Sequence, residues 1–290
     1  MASGFQQTLE WAVGAGAYAA FDRYTGDRPG WSGGEWEEAF GGGGSVVEWL
    51  TMVEPEGSAD TTLQTGALLA YVKPATVGAL PTALNIQGGV VATAGGAVRH
   101  TDAYITSCEM SLEHNGVVSV NYGWKALTPS WATIATAATP IDTLPFPWHG
   151  SNVLIEDAAY MVGQWSLTQE NEITLHSDLD EKVAGAARFP VWAEPGPYRA
   201  NLTATLRAPF DPDELDPLAD CGATFGAVMT VTDCGGEAAR ILTVTLVDFK
   251  LDNVTSSIVE GGELVEYEVT AHATPNDLTA VDIDISPVGV

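Results

Sequence analysis

Positive charge is what this sequence has least of. Four lysines and 11 basic residues in all face 38 acidic ones over 290 residues, a formal net charge of -27. The basic residues are scattered singly, with no stripe and no interleaving with aromatics, which argues against tight binding to nucleic acid by phosphate neutralisation. Cysteine is scarce too. Three cysteines do not make the framework of a small secreted domain, which carries more and in even number. Cys221 and Cys234 have the spacing to pair across a hairpin, and isolated buried thiols are the expected state. Long apolar runs are missing as well. The amino terminus has no basic leader, carries Glu10, and has its longest apolar run, Trp11 to Phe21, rich in glycine and too short to span a bilayer. Folding in the cytoplasm, with no membrane partner, is the expectation.

What is present is enough apolar residue for a real core: 46% of the chain, in a length that fits one large β domain or two small ones. Acidic residues are spread through every segment. At ordinary ionic strength such a surface repels itself, whereas at molar salt the screening length falls to roughly 3 Å and the same surface keeps the protein soluble. The acid-rich, lysine-poor balance resembles proteins of salt-accumulating archaea.

The chain is organised around Ile241 to Ala273. From Leu264 the residues alternate strictly, with Val265, Tyr267, Val269, Ala271 and Ala273 on one face and Glu266, Glu268, Thr270 and His272 on the other. Ile241 to Phe249 is apolar on both faces and predicts a central strand covered on both sides. Asp252, Asn253, Ser256, Ser257 and Gly261-Gly262 predict a loop between them.

Residues 1–44 mix aromatics with glycines and show no period, which suggests an arm that packs on another surface, such as another subunit, through Trp11, Trp31 and Trp36. Residues 45–290 are then the main domain. Ser45 to Val53 predicts its first strand, and Ser58 to Val72 a helix capped by Asp60 or Thr61 and stopped by Pro74. Leu84 to Val98 predicts a short hairpin. Tyr104 to Leu127 predicts a clear one, with Cys108, Met110 and Leu112 facing Val118, Val120, Tyr122 and Trp124 across a type I′ turn at Asn115-Gly116. Trp148, in a Pro-rich apolar turn, is expected as a core plug. Val153 to Ile155, Gln164 to Leu175, Tyr198 to Arg207, Phe225 to Thr232 and Val281 to Ile285 add strands, about ten in all. The fold class is therefore all-β with one short helix: two packed antiparallel sheets, a sandwich or barrel.

Motifs for chemistry are thin. Gly30-Trp31-Ser32-Gly33-Gly34 satisfies the G-x-S-x-G pattern, but the residues before it are turn chemistry where a nucleophile elbow needs a buried strand. His176, Asp178 and Asp180 alternate as metal ligands would on a strand, a pattern that a solvated strand end gives equally. Asp211, Asp213, Glu214 and Asp216 lack the ligand and glycine of a calcium loop, Leu215 standing where a ligand is needed. No catalytic group, cofactor or metal is assigned.

Four stretches, in this order, carry a resemblance. They are Thr61 to Leu69, the hairpin of Ser107 to Leu112 with Val117 to Lys125, Gln164 to Asn171, and the closing pair of Leu246 to Phe249 with Leu264 to Ala271. From Ser45 onward this pattern resembles the tail tube (major tail) protein of long-tailed viruses. The resemblance implies two packed antiparallel sheets with a flanking helix, assembled as hexameric rings stacked into a tube in the virion tail. The partners it implies are further copies, other tail proteins, and DNA that passes through without specific binding. Expected on the channel wall are Glu109, Ser111, Glu113, Glu266 and Glu268. Two other functions compete. One is an acidic, glycosylated cell-surface β-sandwich, since Asn201-Leu202-Thr203 and Asn253-Val254-Thr255 are acceptor sequons. The other is a serine hydrolase acting through Ser32.

Overall fold

A computed structural model describes residues 7–22, 24–25, 29–33, 36–40, 46–50, 53–155, 158–177, 189–207, 223–235, 239–258 and 265–287. Within them the chain is nearly all strand. The amino-terminal part holds β1 (Gln7–Val13), β2 (Ala19–Ala20), β3 (Tyr24–Thr25), β4 (Gly30–Gly33), β5 (Trp36–Phe40), β6 (Val46–Leu50) and β7 (Val53–Thr62). Then come β8 (Leu84–Val90), β9 (Ala97–Leu112), β10 (Ser119–Ala132), β11 (Ser151–Ile155) and β12 (Ala158–His176). The last five are β13 (Trp192–Arg207), β14 (Phe225–Thr232), β15 (Arg240–Ile258), β16 (Val265–His272) and β17 (Val281–Pro287). Among the described residues helical structure is confined to two 3-10 turns, Ala67–Tyr71 and Trp148–Gly150.

Among the described strands every pairing is antiparallel, and apart from a separate hairpin of β5 and β6 they form two packed sheets. The larger runs β7-β10-β9-β12-β13-β16 and ends on the second half of β15. The smaller runs β17-β15-β14-β11 and ends on the start of β12. Because β15 and β12 belong to both, the hydrogen-bonding path β11-β14-β15-β16-β13-β12 returns to β11 and closes. A strand that passes between sheets must bend, and bends sit at bulges or residues tolerant of unusual backbone. On β15 the bend is at Asp248, which takes φ 56°, a left-handed conformation that Asp accepts better than a branched residue would. On β12 the register slips between Val162 and Gln164.

Alternation explains the core. Tyr198, Ala200, Leu202, Ala204 and Leu206 of β13 are buried while Arg199, Asn201 and Thr203 are exposed. On β10 the buried set is Val120, Tyr122, Trp124 and Ala126. Both sets join one cluster with Leu242, Val244, Leu246 and Phe249 from β15. Each large apolar side chain so buried stabilises the fold by about 1.5–3 kcal/mol.

Several expectations change. The predicted helix over Ser58 to Val72 is instead the end of β7 followed by a 3-10 turn. Ala59, Thr61 and Leu63 point inward with a period of two, and Gly66 at φ 63° interrupts any helix. Asp60 bonds Asn121 on β10 rather than capping. The strand at Ser45 to Val53 does not start the main sheet; among the described residues β6 pairs only with β5, in a separate hairpin. The boundary at residue 44 is not where the packing divides. β1 pairs along its length with β8, and Phe21 lies in the main core. The hairpin of β9 and β10 is as expected, except that its turn is not type I′. Gly116 N donates to Glu113 O at 3.0 Å, so His114 and Asn115 are the central residues, and of the two only Asn115 has positive φ, at 62°. The loop predicted over Asp252 to Ser257 is strand, since β15 runs on to Ile258 beside β16 with a bulge between Leu251 and Asn253. Strand β15 is buried on one face only, because Ile241, Thr243 and Thr245 on the other are half-buried and Val247 is exposed. Phe146 is the fully buried plug of the Pro-rich turn, and Trp148 packs against the core from its margin.

Candidate functional site

The larger sheet turns one face to the core and the other outward, and the outward face is polar from edge to edge. Register sets its rows. Asp60, Asn121, Glu109, Thr168, Asn201, His272 and Lys250 stand side by side across seven strands. Thr62, Ser119, Ser111, Ser166, Thr203, Thr270 and Asn253 make the next row. A third holds Gln164, Thr205, Glu268 and Thr255. No large apolar side chain interrupts these rows. Short hydrogen bonds knit neighbouring strands: Ser166 Oγ donates to Glu109 Oε1 at 3.0 Å, and the Ser111 and Ser119 hydroxyls lie 2.9 Å apart. Such pairs fix rotamers on the face and contribute little to stability.

Of the residues expected on a channel wall, Glu109, Ser111, Glu113 and Glu268 border one shallow depression of about 210 Å3, with Gln164, Ser166, Thr203 and Thr205. Glu266 lies further along β16, opposite Arg207 of β13. Sequons Asn201 and Asn253 are both exposed on this same face. Elsewhere the arrangement is less concentrated. Trp11 is 8% exposed and meets the Tyr71 ring edge-on at 5.3 Å, so it is a core residue rather than a contact for another subunit. Trp31 and Trp36 lie in β4 and β5, and their side chains fall outside the described residues.

Ser32 pairs with Glu54 inside β4, an extended setting in which the strand-to-helix turn of a nucleophile elbow does not form. His176 Nε2 lies 2.9 Å from Glu194 and its ring stacks on Trp192 at 4.0 Å. Asp178, Asp180, Asp211, Asp213, Glu214 and Asp216 lie outside the described residues, as does Cys221. Among the described residues no group of three or more His, Cys, Asp or Glu is placed to hold a metal ion, and no helix is long and apolar enough to cross a membrane. Cys108 is buried, and burial pushes its thiol well above the ordinary range. Cys234, expected to be buried, is exposed with its Sγ 3.2 Å from His149 Nε2.

Three polar ties escape a sequence reading because their partners are far apart in the chain. The buried Asp22 carboxylate accepts the Gln64, Thr65 and Gly66 amides. Glu10, also buried, accepts Gln87 Nε2 at 2.8 Å and the Ala138 amide at 2.6 Å. Trp124 Nε1 donates to His100 Nδ1 at 3.1 Å in the core. Each is a local polar residue whose role only the fold supplies. No family model matches this chain, and a search of curated proteins finds no match.

Proposed function

We propose that this chain is a structural subunit of a viral tail tube, forming hexameric rings that stack into a conduit for DNA. The observation that supports the reading is the outward face of the larger sheet: broad, polar, rich in Ser and Thr, and bearing Glu109, Glu113 and Glu268 around one depression. Around the depression the wall is short hydroxyls and carboxylates, with Lys250, His272 and Arg199 lying outside it, so phosphate finds nothing to hold there and a duplex slides along it without sticking. An open edge supports it too. Among the described residues, the second half of β15 pairs only with β16, which leaves a row of amides and carbonyls for a neighbouring copy to continue the sheet. In this reading the host is a halophile, and the acidic surface keeps the subunit soluble at molar salt.

One observation favours a second reading, an acidic glycosylated surface protein: Asn201 and Asn253 are exposed on the same face. The two readings exclude each other there, because glycans on that face would fill a channel. Negative-stain microscopy of the purified protein in molar salt, combined with intact mass, separates them. Rings or tubes at the unmodified mass support the tube, and added glycan mass without rings supports the surface protein.

A further inference from the structure

The smaller sheet also has an outward face, and unlike that of the larger one its centre carries no charged side chain. On its two central strands the outward side chains are Val228, Thr230 and Thr232 of β14 and Ile241, Thr243, Thr245 and Val247 of β15. All are branched at Cβ, none is charged, and Val247 is 43% exposed. In register beside them stand Leu154 of β11 opposite Val228, and Asp282 and Asp284 of the edge strand β17 opposite Thr245 and Thr243. In a chain of net charge -27 this is a flat surface whose centre carries no charge and whose carboxylates lie at one border.

A strand apolar on both sides is the pattern of a strand covered on both sides. Strand β15 has that pattern over Ile241 to Phe249, yet on its second face Ile241, Thr243 and Thr245 are only half-buried and Val247 is exposed. We infer that the cover is a second copy of this chain, docked through the same face, sheet against sheet. Charge selects the occupant. A basic partner finds more carboxylates on the larger sheet than at the one border here, and a nucleic acid finds no Lys or Arg among the outward side chains of β14 and of Ile241 to Val247. Two copies of so acidic a protein repel everywhere that carboxylates face each other, and meet at least cost where neither presents one. The same patch on both subunits makes a self-complementary contact about a two-fold axis, with branched side chains from the two faces interdigitating as they do between the sheets of a sandwich. Because it closes on two copies, the contact is distinct from edge-to-edge growth around a ring.

The test is the mass in solution. In molar potassium chloride, light scattering behind size-exclusion chromatography is expected to give a species of at least two 30.4 kDa chains. Val247→Glu combined with Thr243→Glu places carboxylates at the centre of both faces and is expected to return a single chain with unchanged near-ultraviolet circular dichroism. Thr203→Glu, on the other sheet, is the control and should leave the mass as it was. If the double variant does not fold, Thr243→Cys in a Cys221→Ser, Cys234→Ser background gives a second route. A short bismaleimide should then link two copies, and should not link copies carrying cysteine at Thr203 instead. Wild-type protein that is a single chain at every salt concentration overturns the inference. So does a folded double variant of undiminished mass, or Thr243→Cys protein that fails to cross-link. The outcome is separable from the tube reading. Pairs without rings would sink the tube and keep this contact, whereas rings unaffected by the double variant would do the reverse.

Discussion

Arg240 Nε donates to Asp233 Oδ2 at 2.8 Å, closing the turn between β14 and β15 with the Asp233 side chain only 2% exposed. The same guanidinium reaches the carbonyls of Gln64 and Leu144 and lies 5.1 Å from the Phe146 ring. One cation thus ties three chain segments together. Burial raises the Asp233 pKa, but the Arg240 and Gly235 amides and the Arg240 side chain outweigh it and hold the carboxyl below its ordinary value. Removing one partner of a buried pair costs about 3–5 kcal/mol, because the other is left buried and charged. Arg240→Ala is therefore expected to lower the denaturation midpoint sharply, measured in urea at molar salt. A carboxyl depressed in the folded state stabilises above its unfolded pKa and stops doing so as pH falls through the folded value. The stability of the wild type should accordingly fall with acidification below about pH 4, and Asp233→Asn should flatten that part of the profile. An unaltered acid limb in the variant would refute the assignment.

Gly57 of β7 lies opposite Trp124 of β10, and a Cβ at Gly57 would come within 2.4 Å of the indole ring. The indole cannot move freely, since its Nε1 is bound to His100 and Trp124 is among the most deeply buried side chains. Overpacking of this kind costs typically about 1–3 kcal/mol. Gly57 does not have a positive φ, so the clash alone supplies the cost, and Gly57→Ala should lose that much in chemical denaturation. An unchanged denaturation midpoint would mean that the Trp124 ring is not the obstacle.

The two described cysteines should differ in chemistry. Cys234 is exposed beside His149, while Cys108 is buried. Alkylation needs the reagent to reach the sulfur, which burial prevents. In a Cys221→Ser background, iodoacetamide under native conditions should label Cys234 and leave Cys108 untouched until the protein is unfolded. Peptide mapping by mass spectrometry reads this out, and labelling of Cys108 in the folded protein would contradict its burial.

Much of the fold was legible because its strands alternate cleanly. Tyr198 to Leu206 and Val120 to Trp124 put one face in the core in sequence and in structure alike. Legibility failed where tertiary context reassigned a locally ambiguous stretch. Ser58 to Thr62 holds helix-capping residues, but pairing with Ser119 to Gly123 makes it strand. Asp252 to Ser257 has loop composition, but β16 supplies a partner and absorbs the irregularity as a bulge. The polar face was partly legible for the same reason as the core. Alternation indicates that Glu109 and Glu268 point away from apolar neighbours. That they share one depression depends on β12 and β13 lying between their strands, an order no local pattern encodes.

The acidic depression makes a direct prediction about DNA. Glu109, Glu113 and Glu268 border it together, so three changes reverse its sign at one place without touching the core. Exposed substitutions of this kind usually alter stability by less than about 0.5 kcal/mol. Wild-type protein should leave duplex DNA unretarded in a gel-shift experiment at low salt, because its carboxylates repel phosphate. The triple variant Glu109→Lys, Glu113→Lys, Glu268→Lys should retard it. Each phosphate neutralised contributes a slope of about -0.9 to the dependence of log affinity on log salt, so engagement of all three lysines predicts a slope near -2.7, lost by molar salt. In assembled tubes the same variant should slow or stall DNA release if the face lines the bore. Unchanged release from tubes whose isolated subunits do bind DNA would place the depression on the outside of the assembly.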